Sequence, residues 1–233
     1  ESENHMAKPQ TTHKIAPWSY SKAKSFETCP KQFYHEKILR EYPFTETEAI
    51  RYGNLFHTAA EKFIRDGTPI PEKFSFAIPV LESLRDRYGE KHCELKMGLT
   101  EDLEPCGFFD KNVWFRGVVD LLIVADDRAW VIDYKTGKSA RYADVGQLEL
   151  MAMATFKHFP TVKKINAGLL FVVSDEFIRE KYFSFDADSL WDKWLTRYQT
   201  MQAAADNDVW NPIPSGLCRN HCQVVVCPHN GRN

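Results

Sequence analysis

The clearest pattern of apolar positions lies between residues 48 and 66. Ile50, Leu55, Phe56, Ala59, Ala60, Phe63 and Ile64 recur at helical spacing, and Gly67 follows as a stop. Upstream, residues from Ser19 to about Arg40 predict two short helices restarting at Pro30. A further helix is expected after Pro79, ending near Gly89. The period then changes. Residues 92–98, 113–124 and 129–136 read as strands, with Asp126 and Asp127 as a tight hairpin turn between the last two. A helix from about Asp144 to Phe159 follows, then strands at 165–173 and 178–185. Leu190, Trp191, Trp194, Leu195, Tyr198 and Met201 form the stripe of a long amphipathic helix. From Asn211 the chain is rich in Pro, Gly and Cys and has no period. Helices flanking a sheet that contains a hairpin make a layered α/β or α+β fold.

Composition narrows the field only a little. The 233 residues are 43% hydrophobic and 27% charged, with a formal net charge of −2. No global basic field advertises nucleic acid, although a local basic groove is compatible with a neutral total. No apolar run approaches the ~20 residues of a membrane span. Glu1–Met6 reads as a cloning scar, and residues 1–18 together as scar and loose lead-in. With no secretory signal visible, a cytoplasmic, reducing setting is expected: bacterial, or host cytoplasm for a phage product. There the six cysteines are small buried hydrophobes or metal ligands rather than a disulfide framework.

The hairpin carries the candidate chemistry. If Asp126 and Asp127 form the turn, Ala125 pairs with Arg128 and Asp120 falls opposite Asp133. Opposed residues share a sheet face, with Cβ atoms roughly 4.5–5.5 Å apart. Lys135 shares that face, among Val118, Leu122 and Val131. Two opposed carboxylates in an apolar setting destabilise a sheet unless a partner offsets them. Mg²⁺ or Mn²⁺ would do so, and a lysine beside it suits phosphodiester chemistry. A bare D-x-K on a solvated hairpin is the plainer reading; the apolar flanks tell against it.

The string GVVD ending at Asp120, twelve residues, then DYKTGK from Asp133 to Lys138 resembles the PD-(D/E)xK nuclease superfamily, in particular its RecB-like exonuclease branch. Gly53 to His57 resembles that branch's G-x-x-x-H helix. Ser19–Ser21 through Cys29-Pro30 to Tyr34 resembles its N-terminal segment. Gln147 resembles the Gln of its Q-x-x-x-Y motif, with Met151 in place of the Tyr. The resemblance runs from Ser19 to Cys227 and implies a restriction-endonuclease-like core: a central mixed sheet flanked by helices, with N-terminal helices and a Cys-rich C-terminal tail. It implies one nuclease domain over 19–233, in which the tail 211–233 packs with the Cys29 region. It also implies catalytic roles for Asp120, Asp133, Lys135 and Gln147, and a metal held by His57, Asp120 and Asp133 with Glu94 as a further candidate. By position alone His57 reads as a core histidine and Glu94 as a surface residue.

Cys29, Cys218, Cys222 and Cys227 resemble the branch's [4Fe–4S] ligands, but the tail spacing is C-x3-C-x4-C rather than C-x2-C-x5-C. His221 occupies the usual middle position, so a zinc site using His221 in place of Cys222 stays open. Cys93 and Cys106 read as ordinary cysteines. Arg116, Lys138, Arg141, Lys22, Lys24 and Lys31 are candidate phosphate contacts, and Trp18, Tyr20 and Tyr34 are either base-stacking platforms or core aromatics. The expected function is a metal-dependent exonuclease acting on DNA ends or single strands, in recombination, repair or phage DNA processing, with or without a recombination or replication partner and without a membrane. The alternatives are a single-strand or structure-specific endonuclease, a catalytically weak DNA-binding or assembly module, and a zinc interaction domain.

Overall fold

The computed structural model describes residues 13–232. The scar expected at Glu1–Met6 and the first half of the expected lead-in lie outside them. In chain order the elements are α1 (Tyr20–Thr28), α2 (Pro30–Phe33), a π-helical turn (Tyr34–Ile38), α3 (Glu48–Asp66), a 3-10 helix (Glu72–Ala77), α4 (Ile78–Asp86), β1 (Glu90–Leu99), β2 (Pro105–Cys106), β3 (Phe115–Ala125), β4 (Arg128–Lys135), α5 (Gly146–His158), β5 (Lys164–Phe171), β6 (Glu176–Phe183), α6 (Ala187–Asn207) and α7 (Leu217–Asn220). They divide into two compact units. One is Thr45–Asp192, and the other joins the segment ending at Phe44 to the segment beginning at Lys193.

The Thr45–Asp192 unit is a six-stranded mixed sheet in the order β2-β1-β3-β4-β5-β6. All pairs are antiparallel except β4 with β5, which is parallel and connected through α5. The hairpin turn falls at Asp126–Asp127: Ala125 pairs with Arg128, and Asp126 takes the left-handed φ of 57° that tight turns use. Helix α3 starts at its Thr47 cap, whose side chain accepts from Ile50 N, and ends at Gly67 with φ 71°. Phe56, Ala60, Phe63 and Ile64 pack with Leu81 of α4 and with Leu121, Ile123, Ile132 and Leu170 of the sheet. Ile50 and Leu55, expected on the same buried face, are exposed. Ile50 lies at the front of α3, where the helix borders an open cleft rather than the core. The short strand β2 and the 3-10 helix had no counterpart in the sequence reading, because neither is long enough to show a period.

In the other unit, Ile15, Trp18, Phe26, Phe33, Trp194, Tyr198 and Met201 are buried. Trp18 stacks on Trp194 and Tyr198 at ring separations of 6.2 and 5.9 Å, so it is a core aromatic and not a platform for bases. Tyr34 stacks on Trp210 at 4.9 Å, and Tyr20 meets Trp194 edge-on. Leu195 of the predicted stripe is more than a third exposed. No helix among the described residues is long and apolar enough to cross a membrane.

Candidate active site

The β3–β4 ladder runs from Ala125↔Arg128 to Leu121↔Ile132 and stops there. Asp120 and Asp133 lie one step beyond the last pair and make no backbone pair with each other. Asp120 Oδ2 instead accepts from the Tyr134 backbone N–H at 2.8 Å. Asp133 continues in register with Leu169 of β5. Both carboxylates are buried, at 8% and 6% exposure. Of the residues expected around them, Leu122 and Val131 are buried and Val118 is half-buried.

Glu94 enters from the neighbouring strand. The pairs Cys93↔Leu121 and Leu95↔Val119 bracket it and Asp120, setting the two opposite each other. Its φ is 49°, a left-handed conformation that is costly for a residue with a Cβ and is concentrated at functional sites. His57 arrives from α3, with Nδ1 3.2 Å from Asp120 Oδ1 and 3.6 Å from Glu94 Oε1. Gly53, one turn earlier, lets the helix pass close to the end of β4: a Cβ there would lie 3.2 Å from Thr136 Oγ1. His57, Glu94 and Asp120 bring three ligand-type atoms within 4.8 Å of one another. Asp133 is outside that group, its oxygens facing other partners.

Those partners are Gln147 and Lys135. Gln147 Nε2 donates to Asp133 Oδ1 at 2.9 Å, and Lys135 Nζ donates to Gln147 Oε1 at 2.8 Å. Lys135 Nζ also stands 2.9 Å from Asp133 Oδ2. Asp133 Oδ2 is buried and finds no well-angled donor there, and Glu94 Oε1 is likewise without one. Met151, where the Tyr of Q-x-x-x-Y would stand, is buried, and a Cβ at Gly117 would lie 2.8 Å from its methyl group.

The electrostatics follow from this crowding. Burial works against a charge on His57, but the Asp120 and Glu94 carboxylates outweigh it and raise its pKa from 6.5 to about 10. The imidazolium thus occupies the place of a cation among the carboxylates. Burial and the Asp120 charge push Asp133 up to about 6, against the pull of Lys135 and His57. Two carboxylates, an imidazole and buried oxygens that lack donors fit a hard divalent ion such as Mg²⁺ or Mn²⁺. An open cleft of about 670 Å³, lined by Asn54, His57, Thr58, Glu61, Glu94 and Thr136, adjoins the group. Two contributors escaped the sequence reading. The Tyr134 N–H leaves no sequence signal, and the Gly53 contact appears only once α3 is placed against β4.

The cysteines gather elsewhere. Cys29, Cys218, Cys222 and Cys227 line one cavity. Cys29 Sγ accepts from Ile213 N at 3.5 Å and Cys218 Sγ from Ser215 N at 3.4 Å. No three of these sulfurs come within 4.8 Å of one another. His221 is exposed and does not line the cavity, whereas His229 does. Cys93 and Cys106 are half-buried, and burial raises both thiols, Cys93 to about 11.

No curated protein matches the chain. Among solved structures, a protein named SSO0001 is similar at 13% identity and a TM-score of 0.46, covering 89% of this chain and 85% of its own. A protein from Eubacterium rectale named "Putative exonuclease" is similar at 11% identity and a TM-score of 0.50, covering 83% of this chain and 82% of its own. At such identity the second likeness speaks for the fold alone. The sequence model of the PD-(D/E)XK nuclease superfamily matches residues 17–80 and 75–228, nearly the whole chain, which therefore belongs to that superfamily.

Proposed function

We propose that the chain is a divalent-metal-dependent deoxyribonuclease that degrades DNA from its ends. The observation that carries this reading is the bonded set Asp133–Gln147–Lys135 beside the His57–Glu94–Asp120 group. His57, Glu94 and Asp120 would hold Mg²⁺ or Mn²⁺, with Asp133 completing the acidic wall. Such an ion supplies Lewis-acid charge at the scissile phosphate and lowers the pKa of water. Lys135 keeps its ammonium group at a fixed point because Gln147 and Asp133 anchor it. From there it orients the attacking water or meets the charge that builds on the phosphate. Gln147 is oriented unambiguously: only its oxygen can face the lysine, so its nitrogen faces Asp133. His57 must give up its proton before Nδ1 can serve as a ligand.

The RecB-like resemblance supports action at ends, in recombination, repair or phage DNA processing. We read the four cysteines as ligands of one metal centre. The RecB-like resemblance favours a [4Fe–4S] cluster over zinc, and the exposure of His221 favours Cys222 as the middle ligand. The test of the main reading incubates the protein with end-labelled linear and closed circular duplex in Mg²⁺, Mn²⁺ or EDTA. Ion-dependent loss of the linear DNA alone is expected. Rapid nicking of the circle would replace it with an endonuclease, and no cleavage in either ion would leave a binding module.

A further inference from the structure

Two residues beyond Glu94 on β1, about 7 Å along the strand, stands Lys96. It is exposed and makes no ion pair among the described residues. Its ammonium lies 5.6 Å from the ring centre of Phe108 and 5.5 Å from that of Phe109. Arg116 of β3, four residues before Asp120, sets its guanidinium 5.2 and 5.5 Å from the same two rings. Phe109 is 75% exposed, so it adds little to any core.

The turn that displays it is fixed on both sides. Gly107 N donates to Asp110 Oδ2 at 2.6 Å, and Asp110 N donates to Gly107 O at 3.1 Å. A Cβ at Gly107 would lie 2.5 Å from Asp110 Oδ1, so a side chain there would displace the carboxylate that closes the turn. Arg116 Nε donates to Phe108 O at 2.6 Å. An exposed ring on a hydrogen-bonded turn, with two cations against it, has the chemistry of a single-strand site: a face for a base and charges for the phosphates beside it.

We propose that the Phe108–Phe109 turn, with Lys96 and Arg116, seats unpaired DNA next to the cleavage point, Phe109 stacking on a base and Lys96 pairing with a neighbouring phosphate. This rests on the nuclease reading above and would favour single-stranded or frayed ends over blunt ones. The test measures binding of fluorescein-labelled oligothymidylate by anisotropy in EDTA, where cleavage cannot interfere. Phe109→Ala should weaken binding by roughly fivefold or more, and Phe109→Trp should retain it. Lys96→Ala, which removes no hydrogen bond of the turn, should lower the log–log salt slope by about 0.7. Blunt duplex of equal length should be little affected by Phe109→Ala. Wild-type affinity in Phe109→Ala with an unchanged salt slope in Lys96→Ala overturns the inference, as does an equal loss on blunt duplex or no oligothymidylate binding by the wild type. Cleavage by the wild type is read separately in Mg²⁺, so a failed platform and a failed nuclease are distinguishable.

Discussion

The carboxylate–lysine group and the four cysteines differ in how their positions are fixed. Asp120, Asp133, Lys135 and Glu94 ride on paired strands, and a hairpin turn sets their register. His57 and Gln147 come from helices packed on that sheet. The cysteines sit at a helix junction and in a tail whose only helix among the described residues is Leu217–Asn220. In the first group the sheet withstands the repulsion between like charges, and His57 offsets part of it. The second group has little regular structure to hold it, so a metal there would act as the staple itself.

The sharpest break of this comparison comes from the sheet-borne group. Asp120→Asn and Asp133→Asn should each reduce Mg²⁺-dependent cleavage by about 10³-fold or more while leaving the fold intact by circular dichroism. Lys135→Ala should lose on the order of 10²–10³ in rate with metal affinity retained. Full activity in both aspartate variants would remove the site altogether.

The tail should respond in the opposite sense. Anaerobically purified protein should be brown and contain about four irons per chain if the cluster forms. Cys29→Ser or Cys227→Ser should then release the tail to proteolysis. One zinc in colourless protein would select the zinc centre, and no metal would leave the tail held by packing.

A smaller effect separates metal binding from protonation. Below pH 10, binding of Mn²⁺ should displace a proton from His57, so affinity should rise by up to about tenfold per pH unit. Calorimetry in buffers of different ionisation heats would count the proton. His57→Gln should abolish this pH dependence and weaken binding by about tenfold.

The smallest effect concerns the metal-free fold. The Asp133 pKa is raised from 3.8 to about 6, so ionisation opposes folding. That penalty is absent below pH 3.8 and complete once pH has risen through about 6. Metal-free Asp133→Asn should therefore melt above the wild type at pH 7, and the gap should close on acidification. His57 runs the other way: its contribution is present below pH 6.5 and lost as pH rises through about 10. A metal-free Asp133→Asn that melts below the wild type at pH 7 would contradict the burial argument.

Much of the sheet unit was legible in the chain. The span of α3 and the Asp126–Asp127 turn follow from local signals: helical spacing closed by a glycine, and a break between two apolar runs. The turn then fixes the register as far as Leu121↔Ile132, one step short of Asp120 and Asp133. The end of the ladder at Leu121↔Ile132 was not legible, because strand divergence depends on what packs beyond the last pair. Trp18 shows the same limit. An aromatic beside a basic segment reads alike as a platform or as core, and only the stack with Trp194 and Tyr198 separates the two.

By itself, then, the sequence determined the elements, the hairpin register and the residue types at the site, because these depend on neighbours a few positions apart. The tertiary structure decided which of them meet. It brought His57 and Glu94 to Asp120, turned Asp133 towards Gln147 and Lys135, and set Phe109 above Lys96 and Arg116. Such meetings join residues far apart in the chain, and their positions depend on the packing of whole helices and strands rather than on any local pattern.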